Sequence, residues 1–136
     1  MGAELLRLLL GHPRVTLTGV TSERLAGEPL SRVYPHLRGL TELSFHDLDA
    51  NWLSDVADVV FLALPHKTTA KVVIEMLDAG YGGRIVDMSG DFRLRDVAAY
   101  EKFYGVKHPK PSMLTDGQFI YGLPELNRAA SSPARS

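Results

Sequence analysis

The chain has 136 residues, a formal net charge of −1 and no cysteine, a size that suits one domain. Without cysteine these residues hold no disulfide, no thiolate zinc site and no thiol nucleophile. Near-neutral charge removes any bulk attraction to nucleic acid or an anionic membrane, and no apolar run approaches the roughly 20 residues of a membrane helix.

Ala3, Leu5, Leu6, Leu8, Leu9 and Leu10 predict an almost wholly apolar helix with Glu4 and Arg7 as its polar face. Gly11 and Pro13 end it. Charged residues inside so short a run do not make a secretory leader, so a cytoplasmic protein is the default expectation. Residues 15–20, VTLTGV, alternate as a strand does and run into the polar turn Thr21-Ser22-Glu23-Arg24. Gly27, Pro29, Pro35 and Gly39 make residues 25–41 read as loop. A short extended piece follows at 43–45, and Asp47 or Asp49 can cap a helix through Trp52 and Leu53.

Residues 57–66, ADVVFLALPH, are the stretch around which the chain is organised. Five of the six residues from Val59 to Leu64 are Val, Leu or Phe, and Pro65 stops the run. So continuous an apolar run predicts a strand covered on both faces, as in a parallel sheet. Thr68 or Thr69 can cap the next helix, whose apolar positions Ala70, Val73, Ile74 and Leu77 follow helical spacing up to the stop at Gly80. Residues 84–88, RIVDM, complete a strand–helix–strand unit. Asp96 can cap a short helix with Val97, Tyr100, Phe103 and Tyr104 on one face, ended by Gly105. Residues 108–111 read as loop and 119–121 as a brief apolar run. One domain is expected over residues 1–128, followed by a small, polar, disordered tail at 129–136.

Ligands of open α/β sheets sit beyond the carboxyl ends of the strands. That draws attention to Leu64, Pro65 and His66, although a strand terminator beside a solvent-exposed histidine is the favoured reading, because a lone histidine is rarely catalytic without a partner. Ser22 and Arg24 follow the carboxyl end of the 15–20 strand; in dinucleotide folds such a position after the second strand meets the adenosine ribose, and an Arg there suits a 2′-phosphate. With Glu23 between them, a plain surface turn is the alternative. Ser89 and Gly90 allow close backbone approach to a ligand, and Arg93 offers a planar fork for a carboxylate or phosphate. The plainer reading pairs Asp91 with Arg93 or Arg95 on the surface. Asp47, Asp49, Asp55 and Asp58 fit capping and solubility better than a carboxylate dyad. The five histidines have no metal-binding spacing, so no metal is expected.

Together ELLRLLLGHP, TSER, YPHLRGL, ALPH, DMSGDFRL, YEKFYGVKHP and above all YGLPELNR resemble N-acetyl-γ-glutamyl-phosphate reductase over residues 2–128. That family includes relatives acting on aminoadipate-type substrates in lysine synthesis. The resemblance implies an α/β fold with a Rossmann-type parallel sheet. It also implies an NADPH-dependent reduction of an acyl phosphate to a semialdehyde through a cysteine thioester, in arginine biosynthesis. It implies a small-molecule substrate, a homo-oligomer for the intact enzyme, and neither nucleic acid nor membrane as partner. Matched residue by residue, Gly2 is the last glycine of the phosphate-binding turn, and Ser22 and Arg24 lie near the NADP 2′-phosphate. Ala63, Leu64 and Pro65 lie beside the cofactor, Ser89 and Gly90 near the nicotinamide, and Arg93 near the substrate. Tyr121 and residues 122–125 lead toward the catalytic cysteine.

The family's first strand, its GxxGYxG turn, its GCY motif and its catalytic-histidine domain have no counterpart in these residues. The expectation is therefore an incomplete Rossmann-type sheet lacking the first strand and glycine-rich loop. No catalytic residue is expected in the chain, NADP binding should be weak or absent, and reductase activity should be lacking. Lowered stability and self-association through unpaired apolar edges are expected too. A non-catalytic Rossmann-like interaction module is the alternative reading.

Overall fold

The computed structural model describes residues 2–65 and 67–122. Where the sequence reads as one domain, the chain groups into two compact units, Met1–Ala57 and Asp58–Ser136. The boundary falls at the head of the apolar run 57–66. The expected tail at 129–136, residues 123–125 and His66 lie outside the described residues.

Unit 1 begins with helix α1 (Gly2–Leu10), as the leucine pattern predicts. Of its leucines only Leu6 is buried, in a cluster with Leu30, Leu37 and Phe45. Strand β1 is two residues, Val20–Thr21, much shorter than the expected 15–20. It pairs in parallel with β2 (Phe45–His46), with Val20 opposite Phe45 and Thr21 opposite His46. The segment expected as plain loop instead holds a one-turn helix α2 (Leu30–Val33) and a 3-10 turn (Pro35–Leu37). Its Leu30 and Leu37 are fully buried. Backbone bonds from Gly27 N–H to Phe45 O (2.7 Å) and from Phe45 N–H to Glu28 O (2.9 Å) tie the segment to β2. Pro and Gly interrupt any periodicity there, so single turns that bury one leucine each leave no readable pattern. Helix α3 (Ala50–Val56) starts at Asp49, whose carboxylate accepts from Asn51 N–H (2.8 Å) and Trp52 N–H (3.0 Å). The capping reading of that aspartate holds.

Unit 2 is built on the expected strand–helix–strand unit. β3 (Val59–Leu62) pairs in parallel with β4 (Arg84–Asp87), from Val59 opposite Arg84 to Leu62 opposite Asp87. The sheet is not covered on both faces. Val60, Leu62 and Ile85 are buried, whereas Val59, Phe61 and Val86 are 42%, 37% and 40% exposed. The pleat sends alternate residues to opposite faces, and only one face here is packed, although both faces are apolar.

Helix α4 (Thr69–Asp78) joins the two strands. Its buried side carries Thr69, Ala70, Val72, Val73 and Met76, so the packed stripe is turned from the expected one, and Leu77 is partly exposed. At its end Gly80 adopts φ +86°, Gly80 N–H bonds Leu77 O (3.0 Å), and Tyr81 N–H bonds Met76 O (2.9 Å). These two bonds form a Schellman stop, with Met76 and Tyr81 both buried as its apolar closure. Helix α5 (Val97–Tyr104) is capped by Asp96, which accepts from Ala99 N–H (2.7 Å), and ends at left-handed Gly105. Tyr100 is buried, but Phe103, expected on the same face, is 80% exposed. The short helix α6 (Ser112–Thr115) was not signalled by any pattern; it buries Met113 and Leu114.

Candidate functional site

The site of interest in unit 2 is the edge where β3 and β4 end. The ladder runs on by one bond, Met88 N–H to Leu62 O (3.1 Å), so the loops that follow both strands start side by side. After β3, Ala63 and Pro65 are exposed and Leu64 is half-buried. Thr68 N–H to Pro65 O (3.2 Å) turns the chain toward α4.

The loop after β4 is folded in on itself. Ser89 N–H donates to Asp87 Oδ1 (2.7 Å), and Asp91 N–H donates to Ser89 Oγ (3.1 Å). Ser89 is buried with these atoms engaged. The close approach that Gly90 permits is taken by this chain itself: a Cβ at Gly90 would lie 2.0 Å from Tyr104 Oη. Arg93 is exposed, donates from Nη2 to Ser89 O (3.3 Å) and lies 5.6 Å over the Tyr121 ring.

Asp91 corrects the surface-pair reading. It is fully buried and makes no ion pair with Arg93 or Arg95 among the described residues. Its carboxylate instead accepts from Lys67 N–H (2.8 Å) and Ala70 N–H (3.0 Å). The second belongs to the first turn of α4, where helix amides lack intrahelical partners. Thr68 stands at the N-cap and makes no side-chain cap bond, so neither threonine performs the expected capping. The cap arrives from 21 residues downstream. One signal pointed that way: neither Thr68 nor Thr69 has Glu or Gln three residues on, so no capping box is present.

Beneath this edge sits an aromatic cluster that the sequence reading did not single out. Phe92 stacks on Phe119 at 3.9 Å and meets His108 edge-on at 5.3 Å; Tyr100 meets His108 at 5.0 Å. His108 is buried, and its Nδ1 accepts from Lys110 N–H (3.1 Å). Burial holds its pKa below the usual 6.5, against an opposing pull from the Asp91 charge. Burial, with the Asp91 charge second, pushes the Tyr100 phenol up to about 12. His108 Nε2 and Thr69 Oγ1 are buried without a partner among the described residues.

In unit 1, Gly2 is the first residue of α1. Ser22 N–H donates to His46 O (2.9 Å) and so continues the β1–β2 ladder. Arg24 is exposed and makes no ion pair among the described residues. His46 stacks on Trp52 at 4.4 Å.

The donors fit a nicotinamide dinucleotide in a restricted way. Arg24 is an exposed guanidinium that makes no ion pair among the described residues, which suits a phosphate. At the start of α4 the Ala70 amide is already taken by the buried Asp91 carboxylate, which places a negative charge where an outside anion would otherwise sit. What the β3 edge offers is the apolar surface of Ala63, Leu64 and Pro65, suited to a flat ring rather than to a phosphate. Among the described residues no group of three or more His, Asp or Glu is placed to hold a metal ion, and no helix is long and apolar enough to cross a membrane.

Parallel strands joined through a helix, with functional loops at their carboxyl ends, define the nucleotide-binding α/β class. The chain belongs to the semialdehyde dehydrogenase NAD-binding domain family, which it matches over residues 1–134. Its fold is therefore of the NAD-binding Rossmann type, with small parallel sheets. It is 46% identical over 134 residues to the N-acetyl-γ-glutamyl-phosphate reductase of Heliobacterium modesticaldum, covering 98% of this chain and 37% of that protein. It is 51% identical over 127 residues to the LysW-L-2-aminoadipate 6-phosphate reductase of Deinococcus radiodurans, covering 93% and 34%. It is 48% identical over 129 residues to the N-acetyl-γ-glutamyl-phosphate reductase of Desulforudis audaxviator, covering 95% and 36%. The chain thus spans little more than a third of the length of these relatives.

Proposed function

We propose that the chain supplies the cofactor-binding part of an NADPH-dependent reductase. The reaction turns N-acetyl-γ-glutamyl phosphate into the corresponding semialdehyde, a step of arginine biosynthesis. The observation that carries the reading is the exposed Arg24 in the turn after β1, which makes no ion pair among the described residues, in a chain 46% identical to such a reductase. Arg24 and Ser22 would hold the 2′-phosphate end of NADP, and Gly2 would lie at its pyrophosphate. Ala63, Leu64 and Pro65 would face a cofactor ring, with Ser89 and Gly90 shaping the loop beside it. The nicotinamide supplies hydride when bound. Arg93, exposed beside this loop, would take an anionic group of the substrate. Assembly of the intact enzyme into a homo-oligomer belongs to the same reading.

The chain contributes no nucleophile. A thioester route needs a thiol, and there is none among these residues. NADPH affinity should also be weak. These residues contain no GxxGYxG turn, and at the start of α4 the Ala70 amide is already engaged by Asp91. A titration of this chain should show saturable NADPH binding with a dissociation constant above about 1 µM, that is, weaker than about −8 kcal/mol. Mixed with acyl phosphate and NADPH, it should not consume the cofactor. Tighter binding or turnover would overturn this account, and no saturable binding at all would favour a non-catalytic interaction module.

The 51% identity to the aminoadipate-type reductase supports a second reading, reduction of a LysW-linked aminoadipate phosphate. N-acetyl-L-glutamate, a stable substrate analogue, separates the two. Under the arginine reading it should perturb the amides around Arg93 in wild type and not in Arg93→Gln.

A further inference from the structure

The unexplained feature of unit 2 is a carboxylate buried at the junction of two loops that the functional reading places at a cofactor. A buried carboxylate is tolerated only where hydrogen bonds replace its lost water. Asp91 obtains them from Lys67 N–H (2.8 Å) and Ala70 N–H (3.0 Å), both in the connection from β3 into α4. Lys67 is the only non-glycine with positive φ among the described residues, at +75°. A side chain disfavours that left-handed backbone, so it persists where surrounding bonds over-determine it. The Lys67 amide is the atom that Asp91 Oδ1 grips.

Asp91 is in turn held from its own side. Asp87, the last residue of β4, accepts from Ser89 N–H, and Ser89 Oγ accepts from Asp91 N–H. Phe92, next in sequence, is buried between Phe119 and His108. A continuous line of bonds therefore runs from the end of β4, through Ser89 and Asp91, to the loop after β3 and the first turn of α4.

We propose that Asp91 is a positioning residue that sets the loop after β3 through the Lys67 and Ala70 amides, so that Ala63, Leu64 and Pro65 are presented in one conformation to the nicotinamide end of the cofactor. The inference rests on the cofactor reading given above. Asp91 is fully buried and would act through these amides rather than by touching the cofactor. Its role is to convert a strained, exposed connection into a fixed edge, which lowers the ordering cost of binding.

Amide hydrogen exchange and ligand titration by NMR on this chain test it. In wild type the Lys67 and Ala70 amides should exchange at least tenfold more slowly than the unbonded amide of an exposed loop residue. Unprotected amides there would overturn the proposal without any variant. Asp91→Ala should lose that protection while Met76 and Leu77, deeper in α4, keep theirs. Asp91→Asn, which retains one acceptor oxygen, should fall between the two and serves if the alanine variant does not fold. Binding should then split by ligand. Asp91→Ala should weaken NADPH several-fold and leave 2′,5′-ADP, which lacks the nicotinamide half, unchanged. Equal weakening of both ligands would mean a general loss of structure and would sink the positioning role. So would unchanged NADPH affinity despite lost amide protection. If NADPH perturbs no amide at Ala63 or Leu64 in wild type, the cofactor reading itself fails.

Discussion

In the turn after β1, Ser22 commits one amide to His46 O, and Arg24 stands exposed with no ion pair among the described residues. In the loop after β4, Ser89 and Asp91 turn their polar side chains inward, and Gly90 lies against Tyr104 Oη. Both loops follow parallel strands of two to four residues, and both have the small, polar composition of binding loops. One offers its chemistry to the outside; the other uses most of it to build. Resemblance to a cofactor motif therefore does not say whether a given side chain meets the cofactor or holds the residue that does.

The contrast is broken most strongly at Gly90. In Gly90→Ala the added Cβ would sit 2.0 Å from Tyr104 Oη and 2.8 Å from Cζ, so the ring or the loop has to move. Over-packing of this kind costs about 1–3 kcal/mol, read as a lowered urea midpoint with little change in slope. Tyr104→Phe removes the nearest atom and should recover part of the loss in the double variant. Strictly additive effects would show that the two residues do not meet.

The sequence shows where each loop lies better than what it does. The strand–helix–strand unit of 59–87 was legible because apolar continuity, helical spacing and a glycine stop are local signals. Asp49 and Asp96 were legible as caps because a cap bonds amides two or three residues away. Asp91 was not, since its partners lie 21 and 24 residues back and nothing local distinguishes it from a surface carboxylate beside two arginines. Leu30 and Leu37 were hidden by the prolines and glycines around them. The exposed face of Val59, Phe61 and Val86 was misread because an apolar residue does not record whether anything covers it. In unit 1 the family resemblance supplied a role for Arg24, and the fold added that its guanidinium is exposed and has no ion pair among the described residues.

A second effect, smaller than the Gly90 clash, follows from the aromatic layer under the inward-turned loop. His108 has a pKa held below 6.5 by burial. The unfolded chain takes up its proton near the ordinary value, while the folded chain resists until lower pH. The stability contribution is therefore present above about pH 6.5 and is lost as pH falls through the folded value. Urea midpoints between pH 7.5 and 5 should drop more steeply in wild type than in His108→Phe, which keeps a ring among Phe92 and Tyr100. Parallel curves would remove His108 as the source.

The smallest effect on stability is expected at Arg24, and there the comparison between the loops becomes sharpest. Arg24→Gln alters an exposed side chain with no ion pair among the described residues, so the folding free energy should change by no more than about 0.5 kcal/mol. If the outward turn does bind the 2′-phosphate, one charge-assisted contact is lost, worth about 1.5 kcal/mol or more. The preference for NADPH over NADH should then fall by about tenfold, with NADH affinity unchanged. The reverse pattern, a destabilised protein with its preference intact, would make the turn after β1 another structural loop. Glu23 gives an internal control. Glu23→Gln removes a negative charge next to the site and should raise NADPH affinity slightly, an effect that 0.5 M salt should abolish by screening.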